Sequence, residues 1–173
     1  MENQMDWLKR VDKAILYALK AITIISFFFL TLLISANVFV RFVPIASLHW
    51  FDEIIELLYA YLVFYGAAAL WISHEHIGVG DWIEKRIKDV RMRHGYRIII
   101  ELLVLWFVAI FFHYSLQLTI LARDVTNVFA ISKRVLYSCL PVSGAVMLIY
   151  SIRNIAVEIV GMIKSGEEKG DPA

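Results

Sequence analysis

HWFDEIIELLYAYLVFYGAAALWISHEHIGVG, residues 49–80, governs how the rest of the chain is read. A Trp50-x-Asp52-Glu53 cluster opens the segment and a His-Glu-His triplet, residues 74–76, closes it. Between them Leu57 to Ser73 is uncharged and almost wholly apolar or aromatic. Just upstream, NVFVRF (residues 37–42) ends another apolar run with a single arginine, Arg41. Two long apolar runs joined by a short polar link, with charge confined to their ends, form the helical hairpin that a bilayer requires.

The same segregation holds along all 173 residues: 60% are hydrophobic and only 19% charged. Soluble domains carry about 45–50% apolar and about 25% charged residues. The expected fold class is therefore all-α integral membrane, one helical unit with no separate soluble domain. A formal net charge of +1 offers no basic field for nucleic acid, so no nucleic-acid partner is expected. The one cysteine, Cys139, allows neither an internal disulfide nor a Cys-x-x-Cys redox or zinc site. The first apolar run is too long for the core of a cleavable signal peptide and lacks a clear cleavage site.

Four spans are predicted, at about 21–40, 54–73, 98–121 and 135–157, within a transmembrane domain of residues 21–163. Residues 1–20 precede them as an amphipathic segment. There Trp7, Val11, Ala14, Ile15 and Ala18 share one side, and Lys9, Lys13 and Lys20 the other. This suits an interfacial helix anchored by Trp7, or a first helix that simply protrudes from the bilayer. A second interfacial helix is predicted over 79–90, where Val79, Trp82, Ile83, Ile87 and Val90 form one stripe and Trp82 is the anchor. Residues 164–173 read as a disordered tail.

Thirteen of the 17 lysines and arginines fall in the N-terminal segment, the 74–97 loop and the C-terminal end. The other two loops hold only Arg41, Arg123, Lys133 and Arg134. The positive-inside bias then places both termini in the cytoplasm.

The polar residues sit at the rims. Arg41 is positioned to pair with Glu53 as an edge ion pair that fixes the hairpin; a partner subunit or a lipid headgroup is the alternative contact. Asp52 and Glu56 belong to the same outer cluster, and Glu56, one turn deeper, is the costlier to leave unpaired. Glu101 and Arg153 lie at similar depth near the inner ends of their helices and are expected to pair, with Arg97 an alternative partner for Glu101. Gly66, Ala67 and Gly144 mark sites of close helix packing. The large side chains Phe27 to Phe29, Trp106, Phe107, Phe111 and Phe112 are expected to face lipid or a partner.

Histidines invite a metal or haem reading, but His74 and His76, two apart on a helix, point to different faces. His113, the only histidine well inside a span, lies about 22 Å from the inner edge at helical rise. No two histidines share the depth that bis-histidine haem ligation needs. A membrane anchor of a respiratory redox enzyme is thus the second reading, and His113 is expected to be hydrogen-bonded inside the bundle. No catalytic, cofactor-binding or metal-binding residue is assigned, and no enzyme activity or cofactor is expected. The spans show no charged midplane and no paired Gly/Pro breaks; Pro141 falls early in span four, where proline disturbs little. An accessory scaffold fits this pattern better than a solute pathway.

The hairpin also resembles a family, the small membrane subunit (DctQ-like) of tripartite ATP-independent periplasmic (TRAP) transporters. The matching residues are Arg41 after span one, Trp50 and Glu53 as Trp-x-x-Glu, Gly66, the pair His76-Ile77, and Pro141 early in span four. One departure is Gly80, where the family often has an acidic residue; Asp81 follows it, turned by about 100° on a helix. The resemblance implies a bacterial inner-membrane secondary transporter. In it a large membrane subunit holds substrate and sodium sites, and a periplasmic binding protein delivers an organic acid. It also implies that the small subunit, among phospholipids, braces the large one and offers part of the docking surface. Arg41, Trp50, Asp52, Glu53, Glu56 and His76 are the residues expected to serve in the hairpin ion pair or in partner or lipid contact.

Overall fold

The computed structural model describes residues 2–42, 50–73, 86 and 90–167, without the side chains of 2–9, 41, 90, 91 and 163–167. Apart from residues 86 and 90, the expected interfacial helix over 79–90, with its anchor Trp82, lies outside the described residues, as do the contact residue His76 and the Trp7 side chain.

Five helices follow one another: α1 (Glu2–Phe42), α2 (Trp50–Ile72), α3 (Val90–Leu121), α4 (Lys133–Tyr137) and α5 (Cys139–Glu167). Four stretches are long and apolar enough to cross a membrane: Arg10–Val40, Trp50–Ile72, Met92–Leu121 and Lys133–Met162. The all-α membrane class and the count of four spans read from the sequence are those of the structure.

α1 runs unbroken for 41 residues. It contains no glycine or proline, and the amphipathic segment and the first span share one helical axis. At 1.5 Å per residue it is about 60 Å long, twice a hydrocarbon layer of about 30 Å. Pro44 lies just beyond its end, and proline disfavours helix in the residue before it.

The fourth span is built from two pieces. Ser132 caps α4, its hydroxyl accepting the Arg134 N–H. The helix then breaks at Ser138. Pro141 explains the break, since it has no N–H for the carbonyl of Tyr137 four residues back. That carbonyl lies 3.2 Å from the Thr119 hydroxyl of α3, whose one proton is shared with the Ser115 carbonyl of its own helix, 2.9 Å away. From α2, the Tyr61 hydroxyl donates to the Val135 carbonyl at 3.0 Å and lies 3.2 Å from Ser138 Oγ. Two neighbouring helices thus set hydroxyl groups against the backbone on either side of the break.

The helices pack in the order α1, α2, α5, α3. Ser26, Leu30, Leu19 and Thr23 line the α1 face; Gly66 of α2 sits where an added Cβ would stand 3.3 Å from Thr23. α2 meets α5 through the bond from Trp71 Nε1 to Ser151 Oγ, 3.1 Å. α5 meets α3 at Gly144, whose added Cβ would stand 3.3 Å from Phe111 and 3.4 Å from Phe112. Small residues let these backbones approach closely, the usual basis of association where lipid removes the hydrophobic driving force. A core of Leu19, Tyr65, Ala68, Ala69, Val108, Cys139 and Met147 runs through the row. The last span is the most enclosed, 39% of it buried against 11% for the first and third. α1 and α3 are therefore the flanks of the row.

Candidate interaction surface, fastened at both ends and open at the middle

At the end of the row where α2 begins, Glu53 gathers the loop between α3 and α4. Its Oε1 accepts the Val128 N–H at 2.6 Å and its Oε2 the Phe129 N–H at 3.1 Å. Successive backbone N–H groups turned toward one carboxylate form an anion-holding concavity. The loop is itself knit together. Thr126 N–H donates to the Ile131 carbonyl, Ile131 N–H to Thr126 Oγ1, Lys133 N–H to the Asp124 carbonyl and Arg134 Nε to the Ala122 carbonyl. Trp50 meets Phe129 edge-on, with ring centroids 6.3 Å apart. Ala130 takes φ 51°, the left-handed region. Val125, Val128, Phe129 and Ile131 leave an exposed apolar rim on this loop.

Both oxygens of Glu53 are thus engaged by loop backbone. The side chain of Arg41, its expected partner, lies outside the described residues. Asp52 and Glu56 are exposed, on a stripe with Tyr59 and Val63 that faces away from the bundle. Sequence reasoning missed the 124–132 loop as Glu53's partner, since a backbone N–H leaves no mark in a sequence.

At the opposite end, two ion clusters tie the row. Asp12 of α1 accepts from the Tyr150 hydroxyl at 2.7 Å and from Arg153 Nη1 at 2.5 Å. The Arg153 guanidinium also lies over the Tyr150 ring, 5.7 Å from its centroid. Glu158 of α5 meets His94 Nδ1 at 2.6 Å and Arg97 Nη1 at 3.2 Å, both from α3. Gly161 makes room for that imidazole: an added Cβ would stand 3.0 Å from His94 Cε1.

Arg153, expected to pair with Glu101, bonds Asp12 of α1. Depth counting started the first span at residue 21, whereas the helix continues outward and carries Asp12 alongside α5. Arg97, the alternative partner for Glu101, bonds Glu158, and both Arg97 and Glu101 make further interactions. Glu101 itself is half-buried on α3. Asp12, His94, Tyr150 and Glu158 were missed by sequence reasoning; Glu158 lies just beyond an assumed span and Asp12 nine residues before one.

In the middle of the row, Gly66 and Gly144 occupy helix contacts and Ala67 packs against the core. His113 does not. It is exposed on α3, where its Nε2 lies 3.1 Å from the Gln117 side-chain nitrogen, and its ring meets Tyr114 edge-on at 5.4 Å. The physical reason is angular: Val108 and Ser115 define the buried face of α3, and His113 lies about 140–160° from both at 100° per residue. Phe111 and Phe112 are likewise corrected. They are half-buried, and Phe111 stacks on Phe64 of α2 at 6.0 Å. Phe27, Phe28, Phe29, Trp106 and Phe107 are exposed.

A family model described as "Tripartite ATP-independent periplasmic transporters, DctQ component" matches residues 30–161. That range holds Arg41, Trp50, Glu53, Gly66 and Pro141, and runs from the middle of α1 to Gly161 on α5. No curated protein matches the chain.

Proposed function

Because the chain belongs to the DctQ component family of TRAP transporters, a multi-pass membrane protein and one component of a transporter, we propose that it braces the large permease subunit of such a system. The system takes up an organic acid, coupled to sodium and delivered by a periplasmic binding protein. The membrane is the bacterial inner membrane, both termini face the cytoplasm, and the Glu53 end faces the periplasm.

One observation carries this reading: the ion pairs of Asp12, His94, Arg97, Arg153 and Glu158 gather at one end of the row, and the Glu53 clasp lies at the other. Among the described residues, what lies between is apolar packing, scattered hydroxyl bonds and the His113–Gln117 pair on the outer face of α3, which make no continuous charged path along which a solute could be passed. A row with two open flanks suits lying along another protein, and helices fastened at both ends suit a part that stays still while another moves. Bracing would work by giving the static portion of the large subunit a wider footprint in the bilayer. In the periplasm, the apolar rim of residues 125–131 beside Trp50 supplies part of the surface on which the binding protein docks.

Co-expression of this chain with the large subunit and purification in mild detergent tests the reading. The two are expected to migrate as one complex. Purification of the large subunit alone, fully competent in reconstituted uptake with its binding protein, would contradict it.

A further inference from the structure

α3 exposes polar groups at a depth where lipid cannot satisfy them. Trp106, Ile110, His113 and Gln117 recur at i, i+4, i+7 and i+11, within about 60° of one another on the helix. Ile99 extends the same line. All five are exposed, Trp106 by 67%, and Val108 and Ser115 lie on the opposite, buried side. Counted from Leu121 at the end of α3, Gln117 is about 6 Å in, His113 about 12 Å and Trp106 about 22 Å. All three therefore fall inside a hydrocarbon layer of about 30 Å.

The bonding along this line is incomplete. His113 and Gln117 use one nitrogen each on one another. Whichever ring nitrogen carries the proton, the second ring nitrogen and the remaining amide groups have no other partner among the described residues. The Trp106 indole N–H has none there either, and about 8 Å inside the opposite face of the layer it stands short of the interfacial belts where the residue concentrates. On the flank at the other end of the row, Thr31 of α1 returns its hydroxyl to the Phe27 carbonyl of its own helix, 2.8 Å away, a bond that no side chain of the α3 line makes. Polar groups within a bilayer are costly unless another protein helix pairs them.

We propose that the Ile99–Trp106–Ile110–His113–Gln117 line of α3 is the seat of a transmembrane helix of the large subunit. That helix presents a hydroxyl or amide side chain, able both to donate and to accept, opposite His113 and Gln117. The proposal rests on the reading of this chain as a subunit that braces a larger one.

The test is photocrosslinking in membranes of cells expressing both subunits, with a photoreactive phenylalanine analogue in place of Ile110 and, separately, of Phe28 on α1. A crosslink to the large subunit from position 110 and none from position 28 is expected. In parallel, the His113→Leu, Gln117→Leu double variant should keep its own melting temperature while the subunits associate more weakly, by about threefold for each bond lost. Crosslinking from position 28 alone, crosslinking of position 110 only to lipid or to a second copy of this chain, or unweakened association of the double variant would overturn the proposal while leaving the brace intact. Failure of the unmodified subunits to copurify would instead remove both.

Discussion

At Gly144 the contact between α5 and α3 leaves little space: an added Cβ would press on Phe111 at 3.3 Å and touch Phe112 at 3.4 Å. Gly144→Leu is expected to cost about 1–3 kcal/mol, the range for overpacking. Gly95 on α3 has nothing within 4 Å of an added Cβ, so Gly95→Ala should gain about 0.5–1 kcal/mol through helix propensity alone. Thermal unfolding in detergent compares the two directly. His113→Ala, at an exposed position, should move stability by no more than about 0.5 kcal/mol. The small residues were legible because a glycine within an apolar span lowers helix propensity and is tolerated where two backbones come close. His113 was misplaced because depth can be counted along a helix, while its facing cannot be read when both faces are apolar. In water the polar side of a helix reveals the buried one; in lipid that contrast is muted.

At the scale of elements, the joint between α4 and α5 depends on a bond supplied from outside the helix. Thr119→Val removes the donor shared by the Tyr137 and Ser115 carbonyls and should cost about 0.5–1.5 kcal/mol. Pro141→Ala restores an N–H four residues beyond Tyr137, so the same threonine change made in that background should cost markedly less. The double-mutant cycle is read by thermal unfolding, and additive effects would contradict proline as the origin of the break. The Glu53 clasp makes a second prediction of this kind. Glu53→Ala frees the Val128 and Phe129 N–H groups, and limited proteolysis within 124–132 should accelerate while the spans stay protected. Ala130→Gly relieves a left-handed alanine and should protect the same loop. The four spans were legible from length and hydropathy, since a bilayer sets both. The break at Ser138 was not, because Pro141 so near a helix start ordinarily leaves no mark. The 41-residue run of α1 was open to two readings, as one amphipathic pattern serves an interfacial helix and a protruding one equally.

Across the whole molecule, four spans stand in a row with their charges at the two ends, and the middle offers packing without a pathway. The end containing Asp12, His94, Arg97, Arg153 and Glu158 ties both flanks to α5, which makes the central helix the common anchor. Which residues paired across that end was beyond sequence reasoning, because equal depth admits several partners and only the packing order selects among them. The rim confinement itself was legible, and with it the expectation of a brace. The most direct measurement is uptake of an organic acid into proteoliposomes under a sodium gradient, with this chain alone, with the large subunit and binding protein, and with all three. Uptake is predicted only when the large subunit and binding protein are present, and in full only with this chain beside them. Uptake by this chain alone would contradict the account.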